Sequence, residues 1–84
     1  MTDAEIRTAM AAVLRGIAPE ADLSEVGPQE NLREAIDLDS IDFLHFLVGL
    51  HEETGVEIPE SDYNKLTTPA RIIEYIQSAQ QQRA

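Results

Sequence analysis

Apolar residues recur at helical intervals in three stretches of this chain and are scattered between them. Ile6, Met10, Val13, Leu14 and Ile17 share one side of a helix, with Thr2 and Glu5 at capping-box spacing ahead of them and Gly16, Ala18 and Pro19 marking the exit. A second run starts at Ser40 and stops at Gly55. Ile41, Phe43, Leu44, Phe46, Leu47, Val48 and Leu50 cover most of its circumference, and Asp42, His45, Gly49, Glu52 and Glu53 gather on one narrow arc. So wide an apolar arc predicts neighbours on two sides and leaves the polar arc for solvent or a partner. Gly49 within that helix costs about 1 kcal/mol relative to Ala; it is either tolerated slack, the favoured reading, or a place where another surface approaches closely. In the third stretch, Thr67-Thr68-Pro69 reads as a cap with Pro at the first helical position, and Ile72, Ile73 and Ile76 make a core stripe.

The intervening segments follow different rules. From Pro19 to Asp39, Gly27-Pro28 is a turn signal and Leu23, Val26, Leu32 and Ile36 keep no long period. This predicts a long loop, pinned across the bundle by those residues with room for a helical turn, that delivers Ser40 to an exposed corner. Ile58-Pro59 forces an extended step, and a short helical segment over Glu60–Lys65 places Tyr63 and Leu66 inward. Gln77 to Ala84 reads as a polar tail that frays. With no strand pattern and no internal repeat, the prediction is all-α: a small four-helix bundle, three longer helices and one short, with a long loop after the first. One domain spans 1–84, its polar tail beginning near 78.

Size narrows the functions available. A chain of 84 residues buries only about 60% or slightly more of its unfolded surface, which leaves no room for an enzyme cleft plus a scaffold; no catalytic residue is assigned. The absence of cysteine excludes disulfides, thiolate metal sites and a cysteine nucleophile, and fits a reducing compartment. The start, Met1-Thr2-Asp3-Ala4-Glu5, is polar, and no apolar run is long enough to span a bilayer. A cytoplasmic monomer is the expectation, with no membrane contact.

Net charge is −10 with a pI near 4.3, so nucleic acid should be repelled and a basic protein patch attracted. No Lys or Arg lies between Arg33 and Lys65, whereas Glu34, Asp37, Asp39, Asp42, Glu52, Glu53, Glu57, Glu60 and Asp62 do. A solvated face that keeps a small domain soluble is the plain explanation of such a run. Its other reading is a docking surface with Ser40 in its midst.

Several chemistries fail on spacing. His45 lies about 140° around the helix from Ser40, too far for a Ser-His-Asp arrangement. An EF-hand loop lacks its third oxygen ligand at Ile41 and its glycine at Asp42. Asp37-x-Asp39 matches the start of haloacid dehalogenase-type phosphatases without their preceding strand or size. His45 and His51 are six apart, on different faces, so no metal site is assigned.

The run Asp39-Ser40-Ile41-Asp42, the helix to Leu50, His51-Glu52-Glu53-Thr54-Gly55 and Val56-Glu57-Ile58-Pro59 closely resembles the acyl carrier protein family. The resemblance continues through Asp62-Tyr63-Asn64-Lys65-Leu66-Thr67-Thr68 to Ile72-Ile73-Glu74-Tyr75-Ile76 and covers roughly half of the chain. It implies that Ser40 carries 4′-phosphopantetheine, taken from coenzyme A by a phosphopantetheinyl transferase, and holds acyl or aminoacyl groups as thioesters without catalysing their chemistry. It also implies that fatty chains can fold back into the bundle core. By matching positions, Asp39, Ile41, Asp42, His45, Val48, Glu52 and Glu53 form the surface that basic patches of acyl-loading, ketosynthase or acyltransferase enzymes dock on. Three departures stand out: Ile41 replaces the usual leucine, Asp37-Leu38 stands where the family commonly has Gly and a small residue, and His45 and His51 occupy positions usually acidic in fatty-acid carriers. The alternative is an unmodified acidic helical module that binds a basic protein through the same helix.

Overall fold

Thr2 starts the first helix in the way its spacing to Glu5 predicts. Its hydroxyl accepts the Glu5 N–H at 3.2 Å, while the Glu5 carboxylate accepts the Thr2 N–H at 2.8 Å, so two N–H groups without helical partners are satisfied at once. The computed structural model describes residues 1–83, and this helix, α1, spans Asp3–Ile17. Ile6, Met10 and Leu14 are buried; Val13 and Ile17 pack half-buried at the edge of the same core.

The long segment that follows is short of helix but not of anchorage. A 3-10 turn, Leu23–Glu25, is capped by Asp22, and a single α-turn, α2 (Leu32–Ala35), is capped by Asn31. Val26, Leu32 and Leu38 are buried, so apolar side chains do pin the loop. The main chain ties it as well: Leu32 N–H donates to the Thr67 carbonyl at 2.9 Å, and Ala70 N–H to the Pro28 carbonyl at 3.0 Å. α2 ends with Asp37 at φ 56 and Leu38 N–H donating to the Arg33 carbonyl at 2.9 Å. That is a Schellman closure, which wants a left-handed residue at this point. It explains why glycine is the easy choice there and why Asp, one of the few side chains that tolerate the conformation, serves in its place.

The helix that matters most, α3, spans Ser40–Thr54 and stops at Gly55, left-handed at φ 74. Phe43, Phe46, Leu47 and Leu50 are buried in the core. Two expectations fail here for one reason: α3 has neighbours on its inner side and toward α1, but not all round. Gly49 is no slack. A Cβ built on it would lie 2.5 Å from Cγ1 of Val13, so the glycine permits α1 and α3 to approach and does not belong to the free arc. Conversely Ile41, Leu44 and Val48 are 65%, 40% and 45% exposed; nothing among the described residues covers them.

After the extended step at Ile58-Pro59, Glu60–Lys65 forms a 3-10 helix. Tyr63 packs half-buried against the core and Leu66 is buried. The last helix, α4, spans Pro69–Arg83, with the Thr68 hydroxyl accepting the Arg71 N–H at 3.2 Å. Ile72, Ile73 and Ile76 face the core as their spacing predicts. The glutamine-rich segment read as a fraying tail continues this helix to Arg83, because Ala79 prolongs the stripe by a turn against the core; Ala84 lies outside the described residues. Tyr75 ties the two elements together by donating its hydroxyl to Asp62 at 2.7 Å, and Lys65 reaches the other carboxylate oxygen at 3.1 Å. The phenol first, then Lys65, hold the Asp62 carboxyl below the usual range. Burial, then the Asp62 carboxylate, push the Tyr75 phenol up to about 12. Among the described residues there is no strand, and no helix is long and apolar enough to cross a membrane.

Candidate functional site

At the start of α3 the cap is Asp39, whose carboxylate accepts the Asp42 N–H at 2.8 Å. Ser40 is therefore the first helical residue. Its hydroxyl is released from capping and its side chain is exposed. The N–H groups of Ser40 and Ile41 have no acceptor among the described residues, and they point out of the positive end of a 15-residue helix. Such an end accommodates an anion.

One cation reaches this corner. Arg33, on α2, donates from Nη2 to the Ser40 hydroxyl oxygen at 3.1 Å. Its guanidinium carbon lies 5.4 Å from the centroid of the buried Phe43 ring, which in turn stacks on Phe46 at 6.3 Å. The turn geometry that closes α2 sets this up: the Arg33 carbonyl holds Leu38 while its side chain crosses to α3. Its Nε is shut off from water and has no hydrogen-bond partner.

The remaining residues read from the sequence take up the outer side of α3. Asp39, Ile41, His45, Val48, Glu52 and Glu53 are exposed and Asp42 is half-buried. Apolar Ile41 and Val48 lie among carboxylates on one continuous side. Leu44 joins them, and helical counting had placed it inward. His51 behaves differently from His45: its Nδ1 lies 2.9 Å from the Val56 carbonyl, where it ties the end of α3 to the next segment. An open groove of about 420 Å³ runs beside this side of the helix, lined by Leu47, Val48, Ile58, Pro59 and Tyr63 among others. Among the described residues no three His, Cys, Asp or Glu side chains stand close enough to hold a metal.

The phosphopantetheine attachment site family matches residues 4–76. The acyl carrier protein of Rubrobacter xylanophilus is 36% identical over 55 residues, 66% of this chain and 68% of its own. The chain belongs to the acyl carrier protein family. A second acyl carrier protein, from Lactobacillus johnsonii, is 37% identical over 59 residues, 70% of this chain and 74% of its own. The solved structure of the acyl carrier protein from Enterococcus faecalis superposes with a TM-score of 0.72 at 28% identity, covering 94% of this chain and 99% of that one. Acyl carrier proteins hold 4′-phosphopantetheine covalently, and they are carriers on which other enzymes act.

The corner at Ser40 fits that group on its own chemistry. A phosphodiester needs an exposed hydroxyl for its ester bond and N–H donors for its anionic oxygens. Here an exposed serine, two unfilled helix N–H groups and a guanidinium with an unpartnered Nε–H converge. Arg33 is the residue that sequence reasoning missed. The signal was present: it is the last cation before the acidic run, seven positions ahead of Ser40.

Proposed function

We propose that Ser40 is the attachment residue of this acyl carrier protein. The observation that carries the reading is the uncapped, exposed Ser40 hydroxyl at the first turn of α3, beside anion-binding N–H groups and Arg33. On a partner transferase, Ser40 Oγ forms a bond to the pantetheine-bearing phosphorus of coenzyme A. The bond from that phosphorus to adenosine 3′,5′-bisphosphate breaks with its electron pair on the leaving oxygen, and the serine proton passes to a base of the transferase. Attached, the arm supplies a terminal thiol that holds the acyl or aminoacyl group as a thioester. Tethering raises the effective concentration of substrate at each docked enzyme.

The docking surface is the outer side of α3. Asp39, Asp42, Glu52 and Glu53 attract basic patches, and Ile41, Val48 and Leu44 give a docked enzyme something to desolvate. The groove at Leu47, Val48, Ile58, Pro59 and Tyr63 offers apolar walls to an acyl chain. Phosphopantetheinyl transferase and acyl-loading, ketosynthase or acyltransferase enzymes are the partners, for fatty-acid, polyketide or other acyl assembly. His45, exposed in the middle of this surface, favours a dedicated pathway, since a missing attraction is a common source of specificity.

Intact mass tests the attachment. Incubation with coenzyme A and a broad-specificity transferase should add one phosphopantetheine to the wild type and nothing to a folded Ser40→Ala variant. Modification of that variant, or none of the wild type by a transferase that loads a control carrier, overturns the reading.

A further inference from the structure

A buried charged donor without a partner costs stability, and native structures leave few of them. Arg33 Nε is one. The guanidinium presents its Nε–H and one Nη–H on the same edge, as two parallel donors matched to two oxygens of a phosphate or carboxylate. In this protein that edge is half filled. Nη2 donates to the Ser40 hydroxyl at 3.1 Å, and the adjacent Nε–H has nothing.

The usual partner for such an edge is a carboxylate, and the neighbourhood is rich in them: Glu34, Asp37, Asp39 and Asp42 all lie within a few residues of the contact. Yet among the described residues none of them pairs with Arg33; the Asp39 carboxylate is engaged with the Asp42 N–H, and the ion pairs are Arg7–Asp3 and Lys65–Asp62. The ring of Phe43 beneath the guanidinium, itself held by Phe46, keeps it aimed at Ser40. A cation with four carboxylates close in sequence, yet directed at a hydroxyl, is arranged for what the hydroxyl will carry.

We propose that Arg33 is a phosphate-binding residue of the modified protein: its Nε/Nη2 edge grips the anionic oxygens of the phosphodiester formed on Ser40. This rests on Ser40 as the attachment residue. Before modification, among the described residues, Nη2 has only Oγ to donate to. Afterwards the oxygens added to the same phosphorus supply acceptors for both donors, and the guanidinium offsets the charge of a phosphodiester placed among Asp37, Asp39 and Asp42. The root of the arm is then held against Phe43 while its far end stays free. Lysine keeps the charge without the paired donors and cannot replace this grip.

Nuclear magnetic resonance of the isotope-labelled protein reads this directly, without any activity measurement. On loading, the Arg33 Nε–H signal should move downfield and its exchange with water should slow roughly tenfold or more, as a new charge-assisted hydrogen bond requires. The ³¹P signal of the loaded wild type should differ from that of a phosphopantetheinyl-serine peptide. It should return to the peptide value in Arg33→Gln and fall between in Arg33→Lys, with circular dichroism confirming the fold of each variant. Intact mass of the same samples separates the two readings. A loaded protein whose Arg33 Nε–H is unmoved, or whose ³¹P shift is the same in the wild type and both variants, overturns the role of Arg33 and leaves Ser40 standing. Failure to load Ser40 overturns both.

Discussion

On the side of α3 that faces α1, Gly49 lies against Val13; on its outer side, Ile41, Leu44 and Val48 stand in water. Helical counting assigns these positions the other way, glycine to solvent and the aliphatic residues to the interior. The difference shows that a wheel orders residues around a helix but does not say where its neighbours sit. A small bundle has too few helices to surround any one of them, so an apolar arc wider than its contacts must be partly spent on something outside the chain. On this helix the proposed function makes that something a docking enzyme.

The largest effect should come from filling the inner side. Gly49→Ala gains about 1 kcal/mol of helix propensity but forces a methyl onto the stiff, β-branched Val13; overpacking of this kind costs about 1–3 kcal/mol. We expect a net loss of up to about 2 kcal/mol in urea unfolding. The double variant Gly49→Ala/Val13→Ala should be no less stable than Val13→Ala alone. Equal additivity of the two changes would mean that the helices do not meet there.

Emptying the outer side should do the reverse. Ile41→Ser combined with Val48→Ser should shift stability by no more than about 0.5 kcal/mol, while raising the transferase KM for the carrier roughly tenfold through lost apolar anchoring. A stability loss as large as that of Gly49→Ala would erase the contrast between the two sides.

His45 sharpens the comparison within the outer side. His45→Glu should improve elongation of the loaded carrier by a housekeeping ketosynthase by up to about fivefold, the scale of an exposed ion pair. If the wild type is already elongated as well as the cell's main fatty-acid carrier and glutamate adds nothing, His45 does not select partners.

The smallest effect is a control drawn from the packed framework. Asp62, lowered by its bond from Tyr75, contributes stability above the ordinary carboxylate range that is lost as pH falls through it. Tyr75, raised to about 12, contributes stability that is full below about 10 and lost as pH rises from 10 toward 12. Tyr75→Phe should therefore lower Tm modestly at neutral pH, and by progressively less toward pH 3 and toward pH 12. Transferase KM at neutral pH should not change, since Tyr75 lies away from the outer side of α3.

What the sequence made legible was what local chemistry decides. The Thr2–Glu5 capping box, the helix start at Pro69, the stop at Gly55 and the segment Glu60–Lys65 are each set by a few adjacent residues, and each was found where spacing put it. Ser40 was singled out through its motif, and the structure adds that its hydroxyl is not needed as a cap, because Asp39 caps in its stead. Three features were not legible, because each depends on where a second element sits. Gly49 needed Val13 from α1, the outward turn of Leu44 needed the absence of a third neighbour, and Arg33 needed the left-handed closure at Asp37 to bring α2 against α3. The helical reach of α4 to Arg83 was hidden by composition, since its polar glutamines mask the single small residue, Ala79, that keeps the last turns on the core.

The loop that delivers Ser40 is joined to the start of α4 by two main-chain hydrogen bonds, Leu32 N–H to the Thr67 carbonyl and Ala70 N–H to the Pro28 carbonyl. Bonds of that kind are indifferent to side-chain identity but not to register. Among descendants of this gene Gln29 is freer to drift than Asn31, which caps α2, or Gly27 and Glu30, which bond to each other, whereas a single codon gained or lost between 27 and 31 would pull the serine out of line. Length, more than spelling, is what selection should be seen to guard in that stretch.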